Sequence, residues 1–215
     1  MIETIRLEGM LPKVFAGEHS KKSQIWLTRL EFRRGEKYLV TAESGAGKSS
    51  LCSYIYGARV DFSGRLFFND KDTASFSMPK WQRIRRRHIA YLPQDLMLFP
   101  ELSAIDNIRL KNNLTKSLDE KRIEHWMEEL GIAFRRDYPA GKMSVGQLQR
   151  VALIRALCQP FDFLLLDEPV SHLDEENNRL VARLVEDRCH ELGAAVISTS
   201  VGTPLLLDGA VKLKL

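Results

Sequence analysis

The chain has little that would staple a fold covalently or hold it in a bilayer. Among 215 residues there are three cysteines, Cys52, Cys158 and Cys189. They are scattered without the spacing of a metal or redox centre, which excludes a disulfide or zinc framework and fits a reducing cytoplasm. No apolar run approaches the roughly 20 residues of a membrane-spanning helix. The opening MIETIRLEGM lacks the basic-then-apolar layout of a signal peptide. Any membrane role therefore comes through a partner. Repeats and low-complexity tracts are missing too. Charge is nearly balanced, 32 Lys plus Arg against 28 Asp plus Glu for a net +4, and there is no broad basic surface with interleaved aromatics, so nucleic-acid binding is not expected. The basic run Arg83, Arg85, Arg86 and Arg87 reads as a solvated helix face, with anionic lipid headgroups as the alternative.

What is present is ordinary globular material, 44% hydrophobic and 28% charged, in a length that suits one substantial domain. Hydrophobic period and punctuation predict strands at Ile2 to Leu7, Gln24 to Phe32 and Lys37 to Thr41, with turns around Pro12 and Gly17 and at Arg34 to Glu36. Helices are expected over Lys48 to Tyr56, Lys80 to Arg87, Val145 to Leu157 and Glu175 to Leu192, with a helical stretch from Ser103 to Leu130. Further strands are expected at Gly64 to Phe68, Ile89 to Leu92, Phe163 to Leu166 and Ala195 to Thr199. Alternating strands and helices imply an α/β core with a largely parallel sheet, opened by β structure and interrupted by a helical insertion.

The most informative stretch runs from Ala42 through Glu43, Ser44, Gly45, Ala46, Gly47, Lys48 and Ser49 to Ser50, where a strand gives way to a helix. Gly45 and Gly47 can take backbone angles closed to other residues, so successive N–H groups turn inward toward a phosphate at the positive end of the helix. Lys48 then reaches the β- and γ-phosphates and the Ser49 hydroxyl ligates Mg²⁺. Ala42 stands where the pattern G-x-x-x-x-G-K-S/T begins with glycine, at a strand end where a methyl group is tolerable. Downstream, the apolar strand Phe163 to Leu166 ends in Asp167, Glu168 and Pro169. Alone, such an acidic pair reads as a helix cap. Paired with a phosphate loop it reads as a metal-binding Asp167 and a water-polarising Glu168, adjacent side chains on a strand pointing to opposite faces.

Between these motifs lie Met143, Ser144, Val145, Gly146 and Gln147, followed by Leu148 to Leu157. Ser144 and Gln147 have the spacing of a capping box. The run also resembles the signature of ATP-binding cassette (ABC) ATPases, L-S-G-G-Q with Q-Q-R-V-A-x-A-R-A-L, with Met143 for leucine and Val145 for the first glycine. Other marks of that family follow in order. Gln94 resembles the Q-loop glutamine that reaches Mg²⁺ and the attacking water. Ser171, His172, Leu173 and Asp174 resemble the D-loop, S-A-L-D, with Asp174 also placed to cap the next helix. Phe15 is the candidate for stacking on adenine, with Trp26 as its rival. Phe62 to Asp72, Ile84 to Arg86 and Leu98 to Ile108 resemble the lipoprotein-releasing, macrolide-exporting and cell-division cassettes.

The resemblance implies a P-loop NTPase core over 1–95 and 144–215, an amino-terminal antiparallel β portion and an inserted helical subdomain at about 96–143, together a single stand-alone cassette. It implies ATP and Mg²⁺ as cofactors and head-to-tail pairing with a second cassette, identical or different, so that Ser144, Gly146, Gln147 and Asp174 face the nucleotide on the other subunit. It also implies a transmembrane permease subunit as partner, docked near Phe99 to Asn107 at the inner face of the membrane. One departure stands out. Where the family has a switch histidine this chain has Ser200, which is shorter and cannot be charged, so slow hydrolysis, or a nucleotide switch that rarely hydrolyses, is the alternative expectation. His172 is not expected to replace it.

Overall fold

The computed structural model describes residues 1–16 and 23–215. The turn expected at Gly17 lies outside the described residues. Two sheets organise the described residues. The first is antiparallel, in the order β2-β1-β4-β5, from β1 (Thr4–Pro12), β2 (Arg29–Arg33), β4 (Phe62–Phe68) and β5 (Lys71–Asp72). The second is wholly parallel, in the order β6-β7-β8-β3-β9. It contains β3 (Lys37–Thr41), β6 (Ile89–Leu92), β7 (Phe163–Asp167), β8 (Ala195–Ser200) and β9 (Val211–Lys214).

Strands β3, β6, β7 and β8 are buried on both faces, which is why their centres read as apolar runs, whereas the edge strand β9 is largely exposed. Period-two alternation divides the buried strands. Leu164, Leu166, Leu39 and Val196 face a core shared with the helical region, while Phe163, Leu165, Tyr38, Val40 and Ile197 face the antiparallel sheet. Around these strands lie α1 (Lys48–Ile55), α2 (Met78–Arg87), α3 (Ala104–Asn112), α4 (Glu120–Glu129), α5 (Val145–Leu157) and α6 (Glu175–Leu192).

Several expected boundaries moved for identifiable reasons. Gln24 to Thr28 is a turn rather than a strand. The Ser23 hydroxyl accepts from the Ile25 and Trp26 N–H groups, the Thr28 hydroxyl donates to the Gln24 and Ile25 carbonyls, and Leu27 is left-handed at φ 60°. Local side-chain bonds there outcompete the ladder. The first strand runs on to Pro12 because Gly9, at φ 58°, absorbs a register shift between Glu8 and Leu11. The helical pattern from Ser103 to Leu130 is two helices. The Asn112 amide accepts from the Leu118 N–H at 3.1 Å and donates to its carbonyl at 2.9 Å, closing a turn with no glycine or proline to announce it. Asp119 then caps α4 at the Arg122 N–H. The basic run of α2 is only partly a solvated face: Arg85 donates to the Tyr56 and Gly57 carbonyls and lies over the rings of Tyr56 and Trp81.

Candidate functional site

The carboxyl ends of the parallel strands meet at one edge of the sheet, the place where open α/β sheets bind ligands. After β3 the chain turns through Glu43 to Gly47 and enters α1. Gly45 and Gly47 take φ 83° and 98°, so the two glycines are required. Ala42 is not left-handed; it continues the strand geometry, its N–H donating to the Ser200 carbonyl at 3.2 Å. Among the described residues no side chain caps α1, whose first residues are Lys48, Ser49 and Ser50, so its leading N–H groups are available to an anion. The exposed Ser44 and the half-buried Ala46 complete the loop. It is pinned from outside by the Trp26 indole, which donates to the Ala46 carbonyl at 3.1 Å.

Lys48 is 5% exposed, and its ammonium donates to the Glu43 carbonyl at 3.0 Å and lies 3.7 Å from Glu168. Glu168 does not reach this position by strand alternation. The strand stops at Asp167, and Glu168 follows in the left-handed region at φ 53°, which swings its carboxylate back over the phosphate loop. Asp167 is 2% exposed. Its Oδ1 accepts from the Thr199 hydroxyl at 2.7 Å, whereas Oδ2 is buried with no partner among the described residues. A buried, unpartnered carboxylate oxygen fits a cation. Ser49, Gln94 and Asp167 line one cleft of about 630 Å³ together with Ser53 and Tyr91, so the three residues expected to hold Mg²⁺ converge.

Ser200 ends β8, 5% exposed, beside Thr41 of the phosphate-loop strand. Phe15 and Trp26 divide their roles: both rings pack against Gly47, where a Cβ would lie 3.0 Å from Phe15 and 3.2 Å from Trp26. Trp26 is 2% exposed core, while Phe15 is half-exposed beside the loop.

Ser144, Gly146 and Gln147 do not line that cleft. They open α5 with a complete capping box, in which the Ser144 hydroxyl accepts from the Gln147 N–H at 3.3 Å and the Gln147 carbonyl oxygen accepts from the Ser144 N–H at 3.0 Å. The two readings of the motif are compatible, since the Ser144 hydroxyl hydrogen is left over to donate outward. Gly146 packs against the D-loop: a Cβ there would lie 3.4 Å from the His172 carbonyl. Asp174 caps α6, accepting from the Asn177 N–H at 2.8 Å, and this bond holds its carboxyl below the usual range. His172 is exposed, its Nδ1 3.0 Å from the Ser171 hydroxyl.

Three contributors are given no role by the sequence alone, although Gln149 and Arg155 lie within the run that resembles the cassette signature. Thr199 orients Asp167, and the register Asp167 opposite Thr199 between β7 and β8 is the signal that finds it. Gln149 of α5 donates to the Ser171 hydroxyl at 3.0 Å. Arg155 of α5 donates to the Met97 carbonyl at 2.6 Å and also to the Leu96 carbonyl, holding two left-handed residues just after Gln94.

A family model described as ABC transporter matches residues 28–171. Macrolide export ATP-binding/permease protein MacB of Bartonella quintana is 29% identical over 91% of this chain, which spans 30% of the length of that relative. Lipoprotein-releasing system ATP-binding protein LolD of Francisella tularensis subsp. tularensis is 27% identical over 78% of the chain and 74% of its own length. Molybdate/tungstate import ATP-binding protein WtpC of Thermococcus kodakarensis is 36% identical over 74% of the chain and 48% of its own length. Among solved structures, a dimeric bacterial ABC transporter cassette superposes with a TM-score of 0.77 at 21% identity, covering 98% of this chain and 94% of that one. A dimeric cassette in a post-hydrolysis state with ADP and Pi superposes at 0.76 with 22% identity, covering 91% and 87%. With the family model spanning most of the sequence and the fold shared with solved cassettes, the chain belongs to the ABC transporter family as an ATP-binding cassette.

Proposed function

We propose that this chain binds Mg-ATP at the loop between β3 and α1, hydrolyses it slowly with Glu168 as general base, and couples closure against a second cassette to a membrane partner. The observation that carries the reading is the meeting, among the described residues, of Lys48, Glu168 and the unpartnered Asp167 Oδ2 at the edge beside the available N–H groups of α1. ATP exchanges the Lys48 contacts to Glu43 and Glu168 for its β- and γ-phosphates. Glu168, no longer paired with Lys48, is then available to accept a proton from the attacking water. Ser49, Gln94 and Asp167 would hold Mg²⁺, which would supply charge neutralisation to the phosphates. Phe15 offers its half-exposed ring to adenine.

Ser144, Gly146, Gln147 and the D-loop of this chain, with the α5 dipole behind them, face the γ-phosphate held by the second cassette, identical or different. Residues 1–95 and 144–215 act as the core, and 96–143 as a helical lobe that moves on closure. A groove of about 320 Å³ between these parts, lined by Tyr91, Met97, Phe99 and Leu110, is the seat for a helical segment of the transmembrane partner. Met97, Phe99 and Leu110 are 65%, 53% and 46% exposed there, and an open apolar cluster of this kind suits a helix-in-groove contact. No helix among the described residues is long and apolar enough to cross a membrane, so attachment at its inner face through that partner is the arrangement proposed. The relatives' names include export and import of unrelated cargo; cargo and direction therefore belong to the partner.

A second reading, a nucleotide switch that seldom hydrolyses, is favoured by Ser200 and by Val145 in place of the first signature glycine. Phosphate release from Mg-ATP across protein concentration, wild type beside Glu168→Gln, separates the two. Turnover that rises with concentration and vanishes in Glu168→Gln supports the motor. Tight ATP binding without turnover supports the switch, and no ATP binding refutes both.

A further inference from the structure

Three arginines of the helical region are paired with carboxylates, Arg109 with Asp106 and Glu120, Arg122 with Glu191, and Arg136 with Glu120, Glu124 and Asp137, while Arg135 lies over the rings of Phe134 and Tyr138. Two cations in the groove described above stand apart from those pairs. Lys111 of α3 and Arg155 of α5 both line it, both are half-buried, and among the described residues neither has a carboxylate within ion-pair distance. Arg155 spends its N–H groups on the carbonyls of Leu96 and Met97, which satisfies donors without neutralising charge. Burial lowers the proton affinity of both groups, and the Arg155 charge lowers that of Lys111 further; Asp95 acts on Arg155 from beyond ion-pair range.

Two like charges drawn partly out of water beside one apolar groove are stabilised by an anion brought in from outside. The surrounding surface of Tyr56, Tyr91, Met97, Phe99 and Leu110 calls for an occupant that also brings apolar side chains. Resting on the docking reading above, we propose that the partner segment entering this groove carries a carboxylate on its apolar face, held between Lys111 and Arg155. The same pairing reaches the nucleotide site, because Arg155 fastens the two left-handed residues Leu96 (φ 59°) and Met97 (φ 46°) that follow Gln94. A carboxylate arriving at Arg155 alters the hold on that turn, and with it the placement of Gln94.

The test uses fluorescent amphipathic peptides about five helical turns long, identical except for one central position on the apolar face: glutamate, glutamine or lysine. Binding to the full chain is followed by anisotropy. The glutamate peptide is expected to bind about tenfold more tightly than the glutamine peptide, with a difference that shrinks at high salt. Lys111→Met is expected to erase the preference, and Lys111→Glu to shift it toward the lysine peptide. Thermal melts by circular dichroism establish that the variants are folded; if Lys111→Glu is not, the volume-conserving Lys111→Met carries the test. Glutamate and glutamine peptides binding wild type equally, with both lost in Leu110→Asp, would overturn the acidic anchor while leaving the groove as the docking site. Binding indifferent to Leu110→Asp, or no binding by any peptide, would overturn the docking reading and the anchor together.

Discussion

Ser200→His should accelerate hydrolysis, and the structure sets how much. Ser200 ends β8 beside the phosphate-loop strand, 5% exposed, and the chain beyond it opens to solvent, Val201 being 48% exposed. An imidazole there can lean toward the cleft edge instead of displacing the strand below. A donor aimed at charge developing in the transition state is worth about 10² to 10³ in kcat. Fitting the larger ring costs about 1–3 kcal/mol of stability, and imperfect aim forfeits part of the catalytic gain. The expected result is a rise in kcat of about tenfold to a hundredfold, with the Kd for ATP nearly unchanged because the ring acts on the γ-phosphate late. Phosphate release at saturating Mg-ATP measures it, with protein concentration varied so that pairing is not limiting. Adding Glu168→Gln should abolish the gain, since the histidine orients the water and does not take its proton. A folded Ser200→His variant with wild-type ATP affinity and unchanged turnover would refute the assignment of this position.

The two aromatics at the phosphate loop should separate cleanly. Phe15→Ala is expected to raise the Kd for ATP about five- to tenfold with little change in melting temperature, whereas Trp26→Ala should lose about 3–5 kcal/mol in urea denaturation because Trp26 is core and braces the Ala46 carbonyl. Gly64 sits at φ 81°, and a Cβ there would overlap the Gly9 carbonyl, so Gly64→Ala should destabilise by about 2 kcal/mol, read from the urea midpoint. Burial pushes the Cys158 and Cys189 thiols up to about 12 from 9.0. Iodoacetamide at pH 8 should therefore label them only on unfolding. Between pH 9 and 12 the unfolded thiols ionise while the folded ones stay protonated, so stability should fall across that window.

Much of this architecture is legible in the sequence because burial on both faces of a parallel sheet leaves a strong local record. Phe163 to Leu166 and Ile89 to Leu92 could hardly be anything else, and α5 and α6 begin where the caps Ser144 and Asp174 place them. The glycines of the phosphate loop announce their angles in the same way. What escapes is decided by contacts distant in sequence or by side chains that compete with the backbone. The Ser23 and Thr28 hydroxyls turn an apparent strand into a loop, and Asn112 splits one helical pattern into two. β9 gains its place by pairing with β3 and by the bonds of Lys214 to Gln24. The approach of Lys48 to Glu168, and the grip of Arg155 on the turn after Gln94, join segments that sequence pattern cannot bring together.

The left-handed backbone at Glu168 has a further meaning for how this chain can change over time. A residue with a Cβ held there costs of order 1–3 kcal/mol, a sizeable part of the roughly 5–15 kcal/mol that keeps an ordinary domain folded. Glycine would sit at the same angle without strain, so Glu168→Gly should melt at a higher temperature than wild type while losing turnover. Selection for stability alone would therefore drift toward an inert cassette at this position. If Ser200 occupies the position proposed for a switch histidine, Glu168 is the residue by which continued use of hydrolysis can be judged.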